Sequence, residues 1–201
     1  YGNGLSSFKK PKNNSLYAGN SGTLARMLIA LLATNSNLKV KISGDSSLNK
    51  RDMSRVIEPL SKIGCSFYPK GKQTLPLIIE GTSYPLALNH VENIGSAQVK
   101  SAILLAALDT PGITTIEEKK ISRNHTENIL AQIKAGIKVK KVKDKNFISL
   151  EGQQNLNSFN LRIPGDPSSA ASFIVLALLT SKSKLVIKNI NCNPTRIGFI
   201  K

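Results

Sequence analysis

Gly95-Ser96-Ala97-Gln98-Val99-Lys100-Ser101 runs directly into Ala102-Ile103-Leu104-Leu105-Ala106-Ala107-Leu108, small polar residues followed by a nearly all-apolar stretch of alanine and leucine. The polar residues suit a helix start, where side-chain oxygens accept from unpaired backbone N–H groups. The Ala/Leu run is a strong helix former. The pattern occurs twice more. Asn20-Ser21-Gly22-Thr23-Leu24-Ala25-Arg26 precedes an apolar run from Met27 to Ala33, and Gly165-Asp166-Pro167-Ser168-Ser169-Ala170-Ala171 precedes one from Ser172 to Leu179. Ser21, Ser96 and Ser168 lie 75 and 72 residues apart. The chain is therefore built from a long repeat. A helix without a polar face has to be covered on all sides, which predicts three buried helices.

The rest of the repeat follows outward from these helices. Each meets a turn and then a β-branched strand: Lys39–Ser43, Ile113–Glu117 and Leu185–Lys188. An amphipathic helix comes next. Met53, Val56, Ile57, Leu60 and Ile63 form one apolar stripe, and Ile129, Leu130 and Ile133 form another. Asn193-Pro194 reads as the cap and first residue of a third. Short strands follow in the first two units, at 66–68 and 77–79, then at 138–140 and 147–150. Leu86–Leu88 and Phe159–Ile163 read as strands preceding the second and third units. The fold class is α/β, with repeated βαβαββ units whose buried helices run parallel and bring their N-termini to one surface. Residues 1–162 read as most of one domain and 163–201 as the start of a second. The loop-like opening Tyr1-Gly2-Asn3-Gly4 and the stop at Ile200-Lys201, just inside an expected helix, suggest a chain cut at both ends.

Composition narrows the function classes. With 40% hydrophobic residues the chain can bury a core. Its 28 basic and 12 acidic residues leave a formal charge of +16, which raises nucleic-acid binding as a hypothesis. The lysines are spread along the chain, however. Only 5% of residues are aromatic and none is Trp, so stacking platforms for single strands are scarce. The densest basic run, Ile137 to Lys143, alternates like a strand with one wet face. Cys65 and Cys192 stand far apart, and His90 and His125 have no second ligand at helical spacing. Reduced structural thiols and the absence of a metal site are expected. No apolar stretch approaches the roughly 20 residues of a membrane span.

Helix N-termini carrying the positive end of the helix dipole are ready anion sites. Gly22 lets a ligand approach the backbone, and Ser96 and Gln98 can donate to oxygen anions. Arg51 and Arg123 occupy matching loop positions in successive repeats, and arginine suits bidentate binding of carboxylate or phosphate. Each feature has a plainer reading. Asn20 and Ser21 alone read as helix caps, Arg26 as an internal brace, Asp166-Pro167 as cap and first helical residue, and an arginine at a helix start equally as a brace for a turn. The repetition favours a site.

Six segments in order resemble a known family. They are the stretch at 20–26, Gly44-Asp45-Ser46-Ser47-Leu48-Asn49-Lys50-Arg51, Ser96-Ala97-Gln98-Val99-Lys100-Ser101, Ser122-Arg123-Asn124-His125-Thr126-Glu127, Pro164-Gly165-Asp166-Pro167-Ser168-Ser169 and Asn193-Pro194-Thr195-Arg196. Together they resemble the 5-enolpyruvylshikimate-3-phosphate synthases (3-phosphoshikimate 1-carboxyvinyltransferases) over residues 17–201, in the bacterial form with Ser-Ala-Gln-Val-Lys-Ser. The resemblance implies a two-domain, inside-out α/β barrel of βαβαββ units. It also implies a cytoplasmic, monomeric transferase of the shikimate pathway to chorismate and the aromatic amino acids, with no metal or organic cofactor.

The implied reaction moves the enolpyruvyl group of phosphoenolpyruvate to the 5-hydroxyl of shikimate 3-phosphate through a tetrahedral intermediate, releasing phosphate. Residue by residue, Gly22, Arg51 and Gln98 would line the phosphoenolpyruvate site, and Ser96, Ala97, Gln98, Ser122 and Arg123 the shikimate 3-phosphate site. The family's acid–base residues match no position here, so the chain alone is expected to bind weakly and to be inactive. Two departures stand out. Asp52 replaces the usual proline after Arg51, and Gly22 stands where some glyphosate-tolerant members have alanine, which implies a glyphosate-sensitive enzyme. The sister transferase acting on UDP-N-acetylglucosamine fits the Ser-Ala-Gln and Ser-Arg-x-His-Thr-Glu segments poorly, and Cys65 follows a helix rather than lying on a flexible loop. A basic RNA-binding module is the alternative from a different class.

Overall fold

A computed structural model describes Gly4, residues 7–36 and residues 38–200, the last without its side chain. The loop expected at Tyr1–Gly4 falls largely outside the described residues, as does Lys201. The chain divides into two compact units, Tyr1–Asn157 and Ser158–Lys201.

In the first unit, β1 (Ser15–Tyr17) leads through α1 (Gly22–Ala33) to β2 (Lys39–Ser43), which pairs parallel with β1, Leu16 opposite Ile42. A helix crossover between parallel strands is what the repeat calls for. α2 (Ser54–Ile63) then leads to β3 (Ser66–Tyr68) and β4 (Leu77–Glu80), and β4 inserts antiparallel between β2 and β3 to give the order β1-β2-β4-β3. The pattern repeats. β5 (Asn89–Glu92), α3 (Ala97–Ala107), β6 (Ile113–Glu118), α4 (His125–Gln132), β7 (Ile137–Val142) and β8 (Lys145–Glu151) form a second sheet in the order β5-β6-β8-β7. Two βαβαββ units with the same strand order bear out the repeat and the α/β class.

The core sits where α1 and α3 pack together. Ala25, Ile29, Ala30 and Ala33 meet a matching set that includes Val99, Ala102, Ile103 and Ala106, all buried. Alanine at these points lets two helix backbones approach, while each large apolar side chain contributes about 1.5–3 kcal/mol by burial. α2 turns the expected stripe inward, with Met53, Val56, Leu60 and Ile63 buried and Ile57 half-buried. β7 is the wet edge strand expected of the lysine run, with Val139 51% exposed on it.

Several expectations need correction. The strand before the second repeat is Asn89–Glu92, three residues beyond the apolar Leu86–Leu88. Its inward position is the acid Glu92, which accepts from Ile94 N at 2.9 Å and pairs with Arg55 at 3.3 Å, so no apolar alternation marks it. In the second unit neither Phe159–Ile163 nor Leu185–Lys188 is a strand. A strand needs a neighbouring backbone, and here one parallel bridge, Gly165 with Ile190, supplies the pairing. α5 (Pro167–Leu179) is helical as expected, but only Pro167 is buried, and Phe173, Leu178 and Leu179 are 65%, 80% and 81% exposed. Asp166 caps it, accepting from Ser168 N at 3.1 Å, so the residue equivalent to Ser21 and Ser96 is Asp166 and not Ser168. After Asn193-Pro194 the chain makes a turn and a short 3-10 segment at Gly198–Ile200 in place of an α-helix.

Both cysteines are free thiols, Cys65 buried and Cys192 exposed. Burial pushes the Cys65 thiol up to about 12, with the Glu80 carboxylate adding to the effect. Its thiolate is disfavoured at any pH below that value, and the thiolate is the reactive form. A chromogenic disulfide reagent at pH 8 is expected to titrate Cys192 in the native protein, and Cys65 only after denaturant is added.

Candidate functional site

The N-termini of α1 and α3 lie side by side in the first unit. Ser21 has extended backbone (φ −89°, ψ 97°) and its Oγ accepts from Leu24 N at 3.1 Å. Ser96 does the same for α3, accepting from Val99 N at 3.3 Å. Both serines are thus true helix caps. Gln98 joins the two ends. Its Nε2 donates to Thr23 Oγ1 at 2.6 Å, and its Oε1 accepts from Arg26 Nη1 at 2.8 Å. These contacts fix the helices as parallel neighbours with their positive dipole ends together.

The loop after β2 brings in the next residue. Asp45 accepts from Leu48 N at 2.7 Å, and Asn49 bonds Gly44 N and O at 2.9 and 2.8 Å. This closed loop delivers Arg51 to Asn20, with Arg51 Nη2 donating to Asn20 Oδ1 at 2.8 Å, while Asn20 Nδ2 donates to Asp45 Oδ2 at 2.7 Å. Arg51 and Arg26 flank Gly22 so closely that a methyl group there would lie 3.2 Å from Arg51 Nη1 and 2.8 Å from Arg26 Nη1. Burial pushes the Arg26 guanidinium below its ordinary value, and the charges of Arg51 and Arg55 add to this, against Asp52. Three crowded guanidinia make a strongly electropositive spot. Asp52 forms no ion pair with Arg51 among the described residues. Its carboxylate accepts from Ser54 N at 2.8 Å and Ser54 Oγ at 2.7 Å, bonds that hold it below the usual carboxylate range, so it serves the start of α2.

A cleft of about 220 Å³ opens beside these termini, lined by Thr23, Met27, Ala97, Gln98, Ser101, Arg123, His125 and Thr126. Of the residues singled out in the sequence, Gly22, Arg51 and Gln98 stand together, and Ala97, Gln98 and Arg123 line the cleft. Ser96 is occupied as a cap. Ser122 is turned to Glu118, with its N–H donating to Glu118 Oε1 at 2.8 Å and its hydroxyl to the same oxygen. Arg26 is the internal brace expected of it, bonded to Gln98 and to Asp52 O, whereas Asn20, read in the sequence as a helix cap, instead holds Arg51 and Asp45, and Thr23 was passed over. Among the described residues no group of three His, Cys, Asp or Glu side chains is placed to hold a metal, and no helix is long and apolar enough to cross a membrane.

Comparison with known proteins gives a consistent answer. The family model for "EPSP synthase (3-phosphoshikimate 1-carboxyvinyltransferase)" matches residues 2–201. A 3-phosphoshikimate 1-carboxyvinyltransferase of Novosphingobium aromaticivorans is 42% identical over 200 residues, covering 99% of this chain and 45% of that protein. One from Streptococcus equi subsp. equi is 42% identical over 193 residues, covering 96% and 44%. A solved structure of EPSP synthase from Acinetobacter baumannii superimposes with a TM-score of 0.81 at 38% identity, covering 98% of this chain and 43% of the other. The chain thus spans less than half the length of these relatives.

Proposed function

The chain belongs to the EPSP synthase (3-phosphoshikimate 1-carboxyvinyltransferase) family, and we propose that its protein transfers the enolpyruvyl group of phosphoenolpyruvate to the 5-hydroxyl of shikimate 3-phosphate, releasing phosphate. The observation that carries this is the pair of adjacent helix N-termini locked by Gln98, with Arg26 and Arg51 beside Gly22 and Arg123 on the cleft. Both substrates carry a phosphate and a carboxylate. Backbone N–H groups, dipole ends and guanidinia are the groups that bind such anions in water.

Gly22, Arg51 and Gln98 are assigned to phosphoenolpyruvate, and Ala97, Gln98 and Arg123 to shikimate 3-phosphate. Ser96 and Ser122 join the second group. Ser96 Oγ accepts from Val99 N and keeps its O–H to donate to a phosphate oxygen, whereas the Ser122 hydroxyl, which donates to Glu118, exchanges that partner when the phosphate arrives. The role of these residues is to hold the hydroxyl and the enol carbon together, which converts a bimolecular step into a local one. No acid–base role falls to any of them. On this reading the protein acts as a cytoplasmic monomer, with no metal, organic cofactor or nucleic-acid partner.

The test is an assay of the complete protein with both substrates. Phosphate should appear in step with an enol ether whose vinyl protons are visible by NMR. No phosphate release, or turnover with UDP-N-acetylglucosamine in place of shikimate 3-phosphate, would overturn the assignment. Tight RNA binding that weakens steeply with salt would favour the basic-module reading.

Gly22→Ala gives a sharper check. The added methyl displaces both arginines, one of which is tethered to Gln98. The KM for phosphoenolpyruvate is expected to rise roughly tenfold, with kcat and the KM for shikimate 3-phosphate changed less. Steady-state kinetics with each substrate varied in turn decides it.

A further inference from the structure

Next to the cleft lies a buried charged cluster that the proposed substrate contacts do not include. Lys100 is one turn into α3, and its side chain is 0% exposed. Its ammonium is 2.9 Å from Glu118 Oε1 and 2.6 Å from Glu127 Oε1. Glu118 ends β6 and is likewise 0% exposed, while Glu127 lies in the first turn of α4 and is 4% exposed. The chain neighbours of these residues line the cleft, Ser101 beside Lys100 and Thr126 beside Glu127, and the two hydroxyls are 2.6 Å apart.

Burying three ionisable groups is costly, and a well-packed apolar trio is often at least as stable. Core stability therefore does not account for the cluster. Its geometry does suggest a use. Glu118 accepts from Ser122 N at 2.8 Å, from the Ser122 hydroxyl and from Asn146 Nδ2 at 3.0 Å. Burial would raise its carboxyl, but these bonds and Lys100 outweigh that and hold it low. Glu118 and Glu127 bracket the segment that carries Ser122 and Arg123, and both carboxylates meet on one ammonium. With both ionised, the cluster is net negative beside a cleft of anion-binding character. Glu127 Oε2 is buried without a hydrogen-bond partner among the described residues.

We infer that Lys100 is a positioning residue that, through Glu118 and Glu127, staples both ends of the Ser122–Arg123 segment to α3 and so sets where Arg123 meets a bound phosphate. The inference rests on the reading that the cleft takes shikimate 3-phosphate. The staple acts on this segment and leaves the Gly22–Arg51 corner alone, so the two substrates should respond differently.

The experiment uses the complete protein, unmodified and as Lys100→Met and Lys100→Met/Glu127→Gln. Two readouts are taken: hydrogen exchange of the Ser122 amide without ligand, and calorimetric affinity for shikimate 3-phosphate and for phosphoenolpyruvate. In Lys100→Met the Ser122 amide should exchange at least about tenfold faster, while amides in the middle of α1 keep their protection. Affinity for shikimate 3-phosphate should fall at least about tenfold, and that for phosphoenolpyruvate by less than about threefold. The double variant restores the cluster's net charge but not the staple, so both losses should persist. If Lys100→Met fails to fold, the double variant, with one buried carboxylate fewer, carries the same readouts.

Ser122 exchange and shikimate 3-phosphate affinity both within about twofold of the unmodified protein would overturn the inference. So would recovery of affinity in the double variant, which would assign the effect to charge, or loss of protection throughout the first unit, which would make the cluster merely structural. If the unmodified protein binds no shikimate 3-phosphate yet Ser122 still loosens in the variants, the substrate reading falls and the staple stands.

Discussion

Replacing Arg51 with methionine is expected to raise the KM for phosphoenolpyruvate roughly a hundredfold or more, because hydrogen bonds to charged groups contribute about 1.5–3 kcal/mol each and the fork can make two. The placement of the residue supports the proposed role. Its Nη2 is anchored on Asn20, its Nη1 faces the helix start at Gly22, and among the described residues no carboxylate forms an ion pair with it. Its bond to Asn20 is exposed, so the fold loses little when it goes, and the melting temperature should move by no more than about 2 °C. Lysine at the same position should recover only part of the loss, since an ammonium lacks the planar fork. Kinetics at saturating shikimate 3-phosphate, paired with a thermal melt, decide the matter. A KM within threefold of the unmodified protein would remove Arg51 from the site.

A large effect on stability is expected at Gly152. This glycine follows β8 and packs on the carboxyl end of α3, where an added Cβ would lie 1.8 Å from Thr110 O and 2.5 Å from Ala107 O. Both are backbone atoms and cannot swing aside. Gly81 does the same after β4, with Asn35 O at 2.3 Å and Leu32 O at 2.5 Å. The close approach has a purpose. The residue after each glycine donates its N–H to a carbonyl at the end of a buried helix, Thr82 to Ala33 at 2.9 Å and Gln153 to Leu108 at 2.8 Å, satisfying groups that the helix itself leaves unpaired. Gly152→Ala should therefore destabilise the first unit by about 3 kcal/mol or more through forced displacement of packed backbone. For a unit of this size that lowers the melting temperature by roughly 6 °C or more. Alanine at Gly198, which has open space around its Cβ position and no left-handed backbone, is the control for loss of glycine as such. A Gly152→Ala protein melting with the unmodified one would show that the helix end yields.

Much of this was legible in the residues. The all-apolar helices, their capping serines and the stripe from Met53 to Ile63 have local signatures, and the structure bears them out. Gly81 and Gly152 were not legible, because a glycine against a carbonyl thirty or more residues away looks like any loop glycine. β5 was missed because its inward residue is Glu92, a charge that becomes an acceptable interior group only once Arg55 and the Ile94 amide reach it. Leu185–Lys188 has strand composition and no strand, since composition does not supply the neighbour whose N–H and C=O groups a strand must meet.

The division falls along the range of the forces. The repeat, the helix starts and the arginine-bearing loops are set by contacts within a few residues, namely caps, turns and apolar periodicity, so the sequence by itself determined the α/β class and the family. Which polar groups converge was decided only by the tertiary structure. Gln98 reaches Thr23 and Arg26 across two helices, and Lys100 draws Glu118 and Glu127 together from a strand and a helix. Such pairings depend on positions that packing brings within about 3 Å, the separation a hydrogen bond requires, and the Coulomb attraction of an ion pair is strong only where packing lowers the local dielectric.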